Sequence, residues 1–533
     1  MNLPILSPMK TLPFLCLILL TNSVRADGIK AGFADREVTP DIGMEVPGGY
    51  GKAFGKTVHD APKVRAAVFD DGRRRVAIVG LDALIIRRET VLEVRRRIAE
   101  RTGIAPECVL LGASHSHTSG PVGMVLPGEF DHASKYVQEL AYEKSSCADA
   151  KYLERFIAGI VDAVAAADSG KVDALLSFGS GKAEGVAFNR RQRMKNGLSA
   201  SHAGRGNPDI LGYAGPVDPE VATIGAWTKD GKPLGVVVNF SCHATTGPAA
   251  FSANWIYFLE KTVRGGLGGT QASVPANDAP PQAGSPPAAQ AGSLCSSVPV
   301  VFLQGCCGDI TQVDNLDPYA AKTGDFYGQL IGGTVGAEVL KVLFRAERGA
   351  GPFPVEAKVK TWTVKRRIPD PERVARCLAD TQKNPKEVGA TEWTFAKEIV
   401  LLDALIAKQR DVEVEVQAIQ VGPAVFLTNE AEFFVEYGLD LKKRSNFKMT
   451  IPVELANGCV GYVPTAEALG PHGGGYETRL TSYSNLEVSA GQQFVDAALE
   501  LAKQFTPSPF PEALKAKPAP TGWQYGSVPP ELK

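Results

Sequence analysis

Apolar runs that stop abruptly in polar clusters constrain this chain more than any other feature. Cys108 to Gly112 runs into Ser114-His115-Ser116-His117-Thr118-Ser119, and Gly235 to Phe240 runs into Ser241-Cys242-His243-Ala244-Thr245-Thr246. Val298 to Leu303 runs into Gln304-Gly305-Cys306-Cys307-Gly308-Asp309-Ile310-Thr311, and Ala424 to Leu427 into Thr428-Asn429-Glu430-Ala431-Glu432. Short, continuously apolar segments are those of strands covered on both faces. In open α/β sheets the loops at one sheet edge build the site. These loops, rich in His, Asp, Glu and Gly, read as one convergent site.

The rest of the pattern supplies a frame for them. Val64 to Asp70 and Arg75 to Gly80 flank Asp71-Gly72, a hairpin signal, and Val412 to Val421 and Ala424 to Leu427 flank Gly422-Pro423 in the same way. Glu89 to Arg101 carries Val91, Leu92, Val94 and Ile98 at helical spacing with Gly103 as its stop. Tyr152 to Ala167 reads as a second helix. Irregular alternation of helices and strands predicts a single large mixed α/β domain with a central sheet over 27–505, its site built from loops at strand ends.

Three segments stand apart. Thr11 to Leu20 is an apolar stretch too short to span a bilayer, preceded by Lys10 and followed by Ser23-Val24-Arg25-Ala26. That reads as a secretory signal peptide over 1–26, cut after Ala26, and predicts a soluble secreted or periplasmic protein. Between 265 and 297, 23 of 33 residues are Gly, Ala, Pro or Ser and Asp278 is the one charge, which predicts a flexible insertion. Residues 506–533 hold seven prolines and predict an extended tail. A formal charge of -1, with no basic run interleaved with aromatics, excludes a nucleic-acid partner. No Cys-x-x-Cys pair exists, so a thiolate metal site is not expected; Cys306-Cys307 reads as a vicinal disulfide or as small residues in a turn.

Taken singly, the polar residues leave alternatives open. His115 and His117, two apart, face one side if the segment is extended, as a metal pair or without one. His243 after a buried strand is a ligand or a hydrogen-bonded core histidine. Glu430 and Glu432 precede a helix whose dipole favours carboxylates anyway. Asn189-Arg190-Arg191 is a surface loop or holds an arginine for a carbonyl or carboxylate.

Taken together, the set resembles the catalytic domain of the neutral/alkaline non-lysosomal ceramidase family. The stretches that carry the resemblance are Ala31-Gly32-Phe33 with Val38-Thr39-Pro40, Gly80-Leu81-Asp82, Ser114-His115-Ser116-His117, Phe188-Asn189-Arg190, Asn239-Phe240-Ser241-Cys242-His243, Gly305-Cys306-Cys307-Gly308-Asp309, Glu432 before Phe434, and Gly461-Tyr462-Val463-Pro464-Thr465. The resemblance implies a zinc amidase that cleaves ceramide, or a ceramide-like lipid amide, into sphingoid base and fatty acid by zinc-activated water. By motif position it implies Zn2+ ligands at His115, His243, Glu432 and Tyr462. It places His117 and Arg190 on substrate-polarising positions, with Asp309 and Thr311 in the segment carrying the family's proposed nucleophile. There the family's Gly-Asp-Val-Ser-Pro reads Gly308-Asp309-Ile310-Thr311-Gln312. Thr keeps the hydroxyl but restricts χ1, which argues against a covalent serine-type route. The longer ceramidases continue into an immunoglobulin-like domain, where this chain has the proline-rich tail. The rival readings are a zinc hydrolase of another N-acyl or ester substrate, and an exported binding protein with a degenerate site. A lipid or N-acyl small molecule is the expected partner, with transient membrane-surface contact compatible with it.

Overall fold

The computed structural model of the chain describes residues 28–247, 249–268, 298–513 and 529–533. The segment read as a signal peptide lies outside the described residues, as do 269–297 of the expected insertion and 514–528 of the tail. Residues 265–268 continue the helix Trp255–Gly268, because Val263 and Leu267 still pack on the core. The tail starts tied down: Gln420 Nε2 donates to the Thr506 carbonyl at 2.7 Å, and Phe510 packs against the main core.

A mixed central sheet organises the fold. Its strands run in space as Val300–Gln304, Pro233–Phe240, Glu220–Thr228, Val172–Lys182, Ile29–Glu37, Lys63–Asp70, Arg75–Leu81 and Val109–Ala113. Inner neighbours pair antiparallel, including the expected hairpin of Lys63–Asp70 with Arg75–Leu81. The outermost pair at each end is parallel: Pro233–Phe240 with Val300–Gln304, and Arg75–Leu81 with Val109–Ala113. Parallel neighbours emit their C-terminal loops on the same side. Each end of the sheet therefore delivers two polar loops to one edge.

The sheet curls until these ends meet. A Cβ added at Gly80 would sit 2.3 Å from the Phe302 carbonyl oxygen, so only glycine allows this approach. Helix Arg88–Thr102 packs against helix Ala150–Ser169, which covers strands Ile29–Glu37 and Lys63–Asp70, while helix Phe326–Arg345 covers Val172–Lys182 and Glu220–Thr228 with helix Trp255–Gly268 against it. The first of these ends at Gly103 with φ of 73°, the left-handed stop expected from sequence. Buried Arg65 ties strand to helix, bonding Asp82 at 2.8 Å and Glu260 of helix Trp255–Gly268.

A second sheet, Val355–Lys365, Asp411–Val421, Ala424–Thr428 and Met449–Val453, ends in another parallel pair. It abuts the closed edge of the first: the Glu454 amide donates to the Gln304 carbonyl at 3.0 Å, and Asn239 Nδ2 bridges the carbonyls of Leu303 and Pro452, each at 3.0 Å. Among the described residues no helix is long and apolar enough to cross a membrane.

Candidate active site

Three parallel strand pairs thus aim their loops at one place. The loop after Val109–Ala113 and the loop after Pro233–Phe240 join side by side, with Ser116 bridging Ala244 and the His117 amide donating to the Ala244 carbonyl at 3.1 Å. His115 stands where they meet, with φ of 59°. A left-handed histidine costs about 1–3 kcal/mol and persists where its surroundings impose it. The segment is therefore not extended, as the two-residue spacing suggested, but turned. The turn still brings the imidazoles together: His115 Nε2 and His117 Nε2 lie 3.1 Å apart.

His243 closes the group from the other loop, its ring centroid 4.6 Å from that of His115. Both rings are held by their far nitrogens. His115 Nδ1 bonds the Leu84 carbonyl at 2.9 Å and His243 Nδ1 the Cys307 carbonyl at 2.8 Å. A carbonyl accepts only from N–H, so each Nε2 turns its lone pair inward, where that of His243 meets Arg190 Nη1 at 3.1 Å. Glu432 arrives from the second sheet with Oε2 3.3 Å from His115 Nε2 and 3.2 Å from His243 Nε2. That oxygen is buried and makes no hydrogen bond of good geometry.

Electrostatics fit a cation here. Burial favours the neutral acid at Glu432, but His115 and His243 outweigh it and hold the carboxyl well below its ordinary range. Burial and the neighbouring His115 and His243 push His117 well below the usual imidazole value. Burial, Arg190 and His115 bring His243 down to about 3. The result is an ionised carboxylate facing neutral His117 and His243, while against the cost of burial Glu432 raises His115 above the usual imidazole value; a cation bound here would take the place of that proton. The ligand nitrogens of His115, His117 and His243 lie within 4.8 Å of one another, a group able to hold a metal ion.

Arg190 backs this group from behind. It is buried, with Nε on Glu477 Oε1 at 2.8 Å and Nη2 on the Gly308 carbonyl at 2.7 Å. Nη1 reaches His243 Nε2 at 3.1 Å and Nη2 reaches the Tyr462 hydroxyl at 3.1 Å. Tyr462 in turn contacts the Tyr476 hydroxyl at 3.2 Å. Burial raises the phenols of both tyrosines, which stay protonated. A small cavity of about 80 Å³ opens on this group, walled by His115, His117, Glu432, Tyr462, Tyr476 and Tyr483 with Gly48 to Tyr50. Gly48 lies flat on His117: a Cβ there would come 2.5 Å from Nδ1.

No protein-family model matches the chain. Over 239 residues, 43% of this chain, it is 26% identical to the neutral ceramidase of Pseudomonas aeruginosa. The chain is related to the neutral ceramidases. The match spans about a third, 32%, of that relative's length. In fold, a solved ceramidase complexed with C2 superposes with a TM-score of 0.61 at 18% identity, covering 91% of this chain and 77% of its own. The crystal structure of neutral ceramidase from Pseudomonas aeruginosa gives 0.59, also at 18%, with 91% and 76% covered.

Of the residues that the ceramidase resemblance singled out, His115, His117, His243, Glu432, Arg190 and Tyr462 surround one point. His117 stands with the nitrogen donors, whereas the Tyr462 hydroxyl is engaged by Arg190 and Tyr476. His243 and Arg190 stand behind the cavity lining, in contact with Glu432 and Tyr462 that form it, whereas Asp309 and Thr311 neither line the cavity nor touch those residues through their side chains. The Asp309 carboxylate accepts from Asn189 Nδ2 at 2.7 Å and the Val435 amide at 2.9 Å, pinning two site loops together. Thr311 Oγ1 donates to Gln312 Oε1 at 2.8 Å, an oxygen shared with Thr245.

Residues not singled out complete the site. Glu454 accepts from the amides of Cys307 at 2.9 Å and Phe433 at 2.8 Å, joining the loop that holds His243 to the one that holds Glu432. Its signal was the same pattern of strand then polar residue, after Met449–Val453. Glu477 and Tyr476 follow Gly473-Gly474-Gly475, two of which have positive φ. Tyr50 and Tyr483 carried no pattern. The seven described cysteines are free, so Cys306-Cys307 is a pair of buried thiols in a turn.

Proposed function

We propose that this chain is a zinc-dependent amide hydrolase acting on an N-acyl bond, with lipid amides of the ceramide type as the substrates its relationship suggests. The observation that carries the reading is the spacing of the donor atoms. Ligands at about 2.0 Å around a tetrahedral zinc are separated by about 3.3 Å. His115, His117, His243 and Glu432 present three nitrogens and one oxygen, with 3.1 Å from His115 to His117, 3.2 Å from His243 to Glu432 and 3.3 Å from His115 to Glu432. Nitrogen with a carboxylate oxygen suits zinc better than magnesium or calcium. Bound there, zinc supplies Lewis acidity and a water acidified toward neutral pH.

The chain's own residues then divide the work. His115 and His243 hold cation through Nε2 because carbonyls occupy their other nitrogens. Glu432 contributes the negative charge. His117, neutral and beside the cavity, serves as a fourth ligand or accepts a proton at Nε2. Arg190 stays charged and fixed by Glu477, so its guanidinium faces the place where an amide oxygen gains charge. Tyr462 accepts from Arg190 and, with Tyr476 as the donor in their 3.2 Å contact, keeps its own O–H to donate to that oxygen. Burial in a cavity of about 80 Å³ excludes bulk water and strengthens both interactions.

The test is metal analysis with an N-acyl panel that includes a short-chain ceramide. About one zinc per chain is expected, with hydrolysis of at least one amide that chelation removes and zinc restores. Metal-free protein with undiminished hydrolysis overturns the reading.

Thr311 separates the two routes open to such an enzyme. Its hydroxyl is engaged by Gln312 and lies outside the cavity wall, so Thr311→Ala should lower turnover by less than about tenfold and leave zinc bound. Thr311→Ser should be nearly silent. Loss of all activity in Thr311→Ala, with an acyl adduct trapped by mass spectrometry, would assign Thr311 as nucleophile instead.

A further inference from the structure

The histidine cavity is small for an N-acyl lipid. A water-sized group occupies about 10–15 Å³ of such a space, so about 80 Å³ holds about five to eight of them. That suffices for an amide and its nearest carbons, and the rest of a lipid amide must continue elsewhere. A cleft of about 580 Å³ lies directly beside the cavity. Gly49, Tyr50, Met124 and Tyr483 wall both spaces and so stand between them.

Of these four, Gly49 has no side chain, and Met124 is a flexible thioether that yields to what passes it. The two tyrosines are rings on fixed backbones. The Tyr483 carbonyl accepts from the Tyr462 amide at 2.9 Å. Tyr50 stands at the tip of a loop closed by bonds from the Val46 amide to the Ala53 carbonyl and from the Gly43 amide to the Gly55 carbonyl, each at 2.8 Å. Its own carbonyl accepts from Lys397 Nζ at 2.5 Å. That ammonium is buried and also held by Ser145 Oγ at 2.7 Å and Glu398 Oε1 at 3.0 Å. A buried ammonium is costly unless its partners stay in place, so Lys397 fixes the loop tip. The Tyr50 ring centroid lies 5.9 Å from that of Phe395, on the same helix as Lys397, Ala390–Lys408. On its other side the tip presses on the site, with Gly48 against His117. The Tyr50 ring is thus held at a set distance from the histidines.

We propose that Tyr50, with Met124 and Tyr483, forms a neck through which one half of the substrate leaves the histidine cavity, and that the Tyr50 ring sets the width of this neck. Tyr50 is then a specificity-determining residue. It favours amides that are unbranched, on the half that threads the neck, at the carbon beside the reacting bond. This rests on the amidase reading above.

The experiment compares three amides on the zinc-loaded full chain and its variants. N-dodecanoylethanolamine is unbranched on both halves. One analogue carries two methyl groups on the carbon beside the carbonyl, the other two methyl groups on the carbon beside the nitrogen. The quantity read is kcat/KM for each branched amide over that for the unbranched one. Comparing this ratio between variant and unaltered chain cancels the intrinsic slowness of branched amides. Tyr50→Ala should raise it about tenfold for one branched amide, the one branched on the half that threads the neck, and leave the other unchanged. Tyr50→Phe keeps the ring and should leave both ratios unchanged. Met124→Ala, on the same neck, should raise the same ratio severalfold and carries the test if Tyr50→Ala does not fold. The matching non-cleavable sulfonamides, measured by calorimetry, should show the same pattern in affinity. Ratios that stay fixed in both folded neck variants overturn the proposal. So does an equal rise for both branched amides, which marks general loosening, or a rise as large in Tyr50→Phe, which places the effect in the hydroxyl. If no amide is cleaved but the sulfonamide affinities shift as expected, the hydrolase reading falls and the neck stands. Cleavage with unmoved ratios does the reverse.

Discussion

His243→Ala protein, purified and dialysed without added metal, should retain less than about a tenth of the zinc bound by the unaltered chain. His115→Ala should do the same, and neither should cleave amides. The effect is large because these imidazoles are not free side chains that happen to lie close. His243 Nδ1 is committed to the Cys307 carbonyl and His115 Nδ1 to the Leu84 carbonyl, so each Nε2 is prepaid in orientation and tautomer. Removing one leaves Glu432 Oε2, already without a hydrogen bond, buried beside a hole. His117→Ala distinguishes the two roles open to that residue. Loss of zinc marks it as a ligand; retained zinc with slowed hydrolysis marks it as the proton acceptor. Full zinc occupancy in both His243→Ala and His115→Ala would refute the donor set as a whole. Far-UV circular dichroism on each variant guards against reading misfolding as metal loss.

Much of this site was legible as pattern and little of it as geometry. The strands before His115, His243, Cys307 and Glu432 were visible because buried parallel strands need continuous apolar runs. Hairpins at Asp71-Gly72 and Gly422-Pro423 were visible because their turns demand particular residues. The curl of the sheet was not. It depends on Gly80 passing the Phe302 backbone, a contact between residues more than two hundred positions apart. The His115 turn was misread as extended, since a non-glycine residue at positive φ leaves no mark in spacing. Glu477, Tyr476 and Tyr50 arrive on long loops with no periodicity, so only tertiary packing assigns them. The helix Trp255–Gly268 ran past the start of its glycine-rich stretch because core contacts at Val263 and Leu267 override local propensity.

Arg190→Met should cost about 3–5 kcal/mol of stability and lower turnover by about a hundredfold or more, while zinc stays bound. The two losses have separate causes. Stability falls because Glu477, fully buried, is left as an unpaired carboxylate once its 2.8 Å partner is gone. Turnover falls because the guanidinium no longer faces the amide oxygen and no longer orients the Tyr462 hydroxyl. A second substitution separates them. Glu477→Met added to Arg190→Met removes the stranded charge, so the double variant should recover much of the stability in denaturant unfolding and none of the turnover. Glu477→Met alone leaves Arg190 with the Gly308 carbonyl and the two phenols, and it should destabilise as a buried cation without its anion. If Arg190 is merely a structural partner of Glu477, the double variant must regain activity along with stability, and that result would remove Arg190 from the reaction.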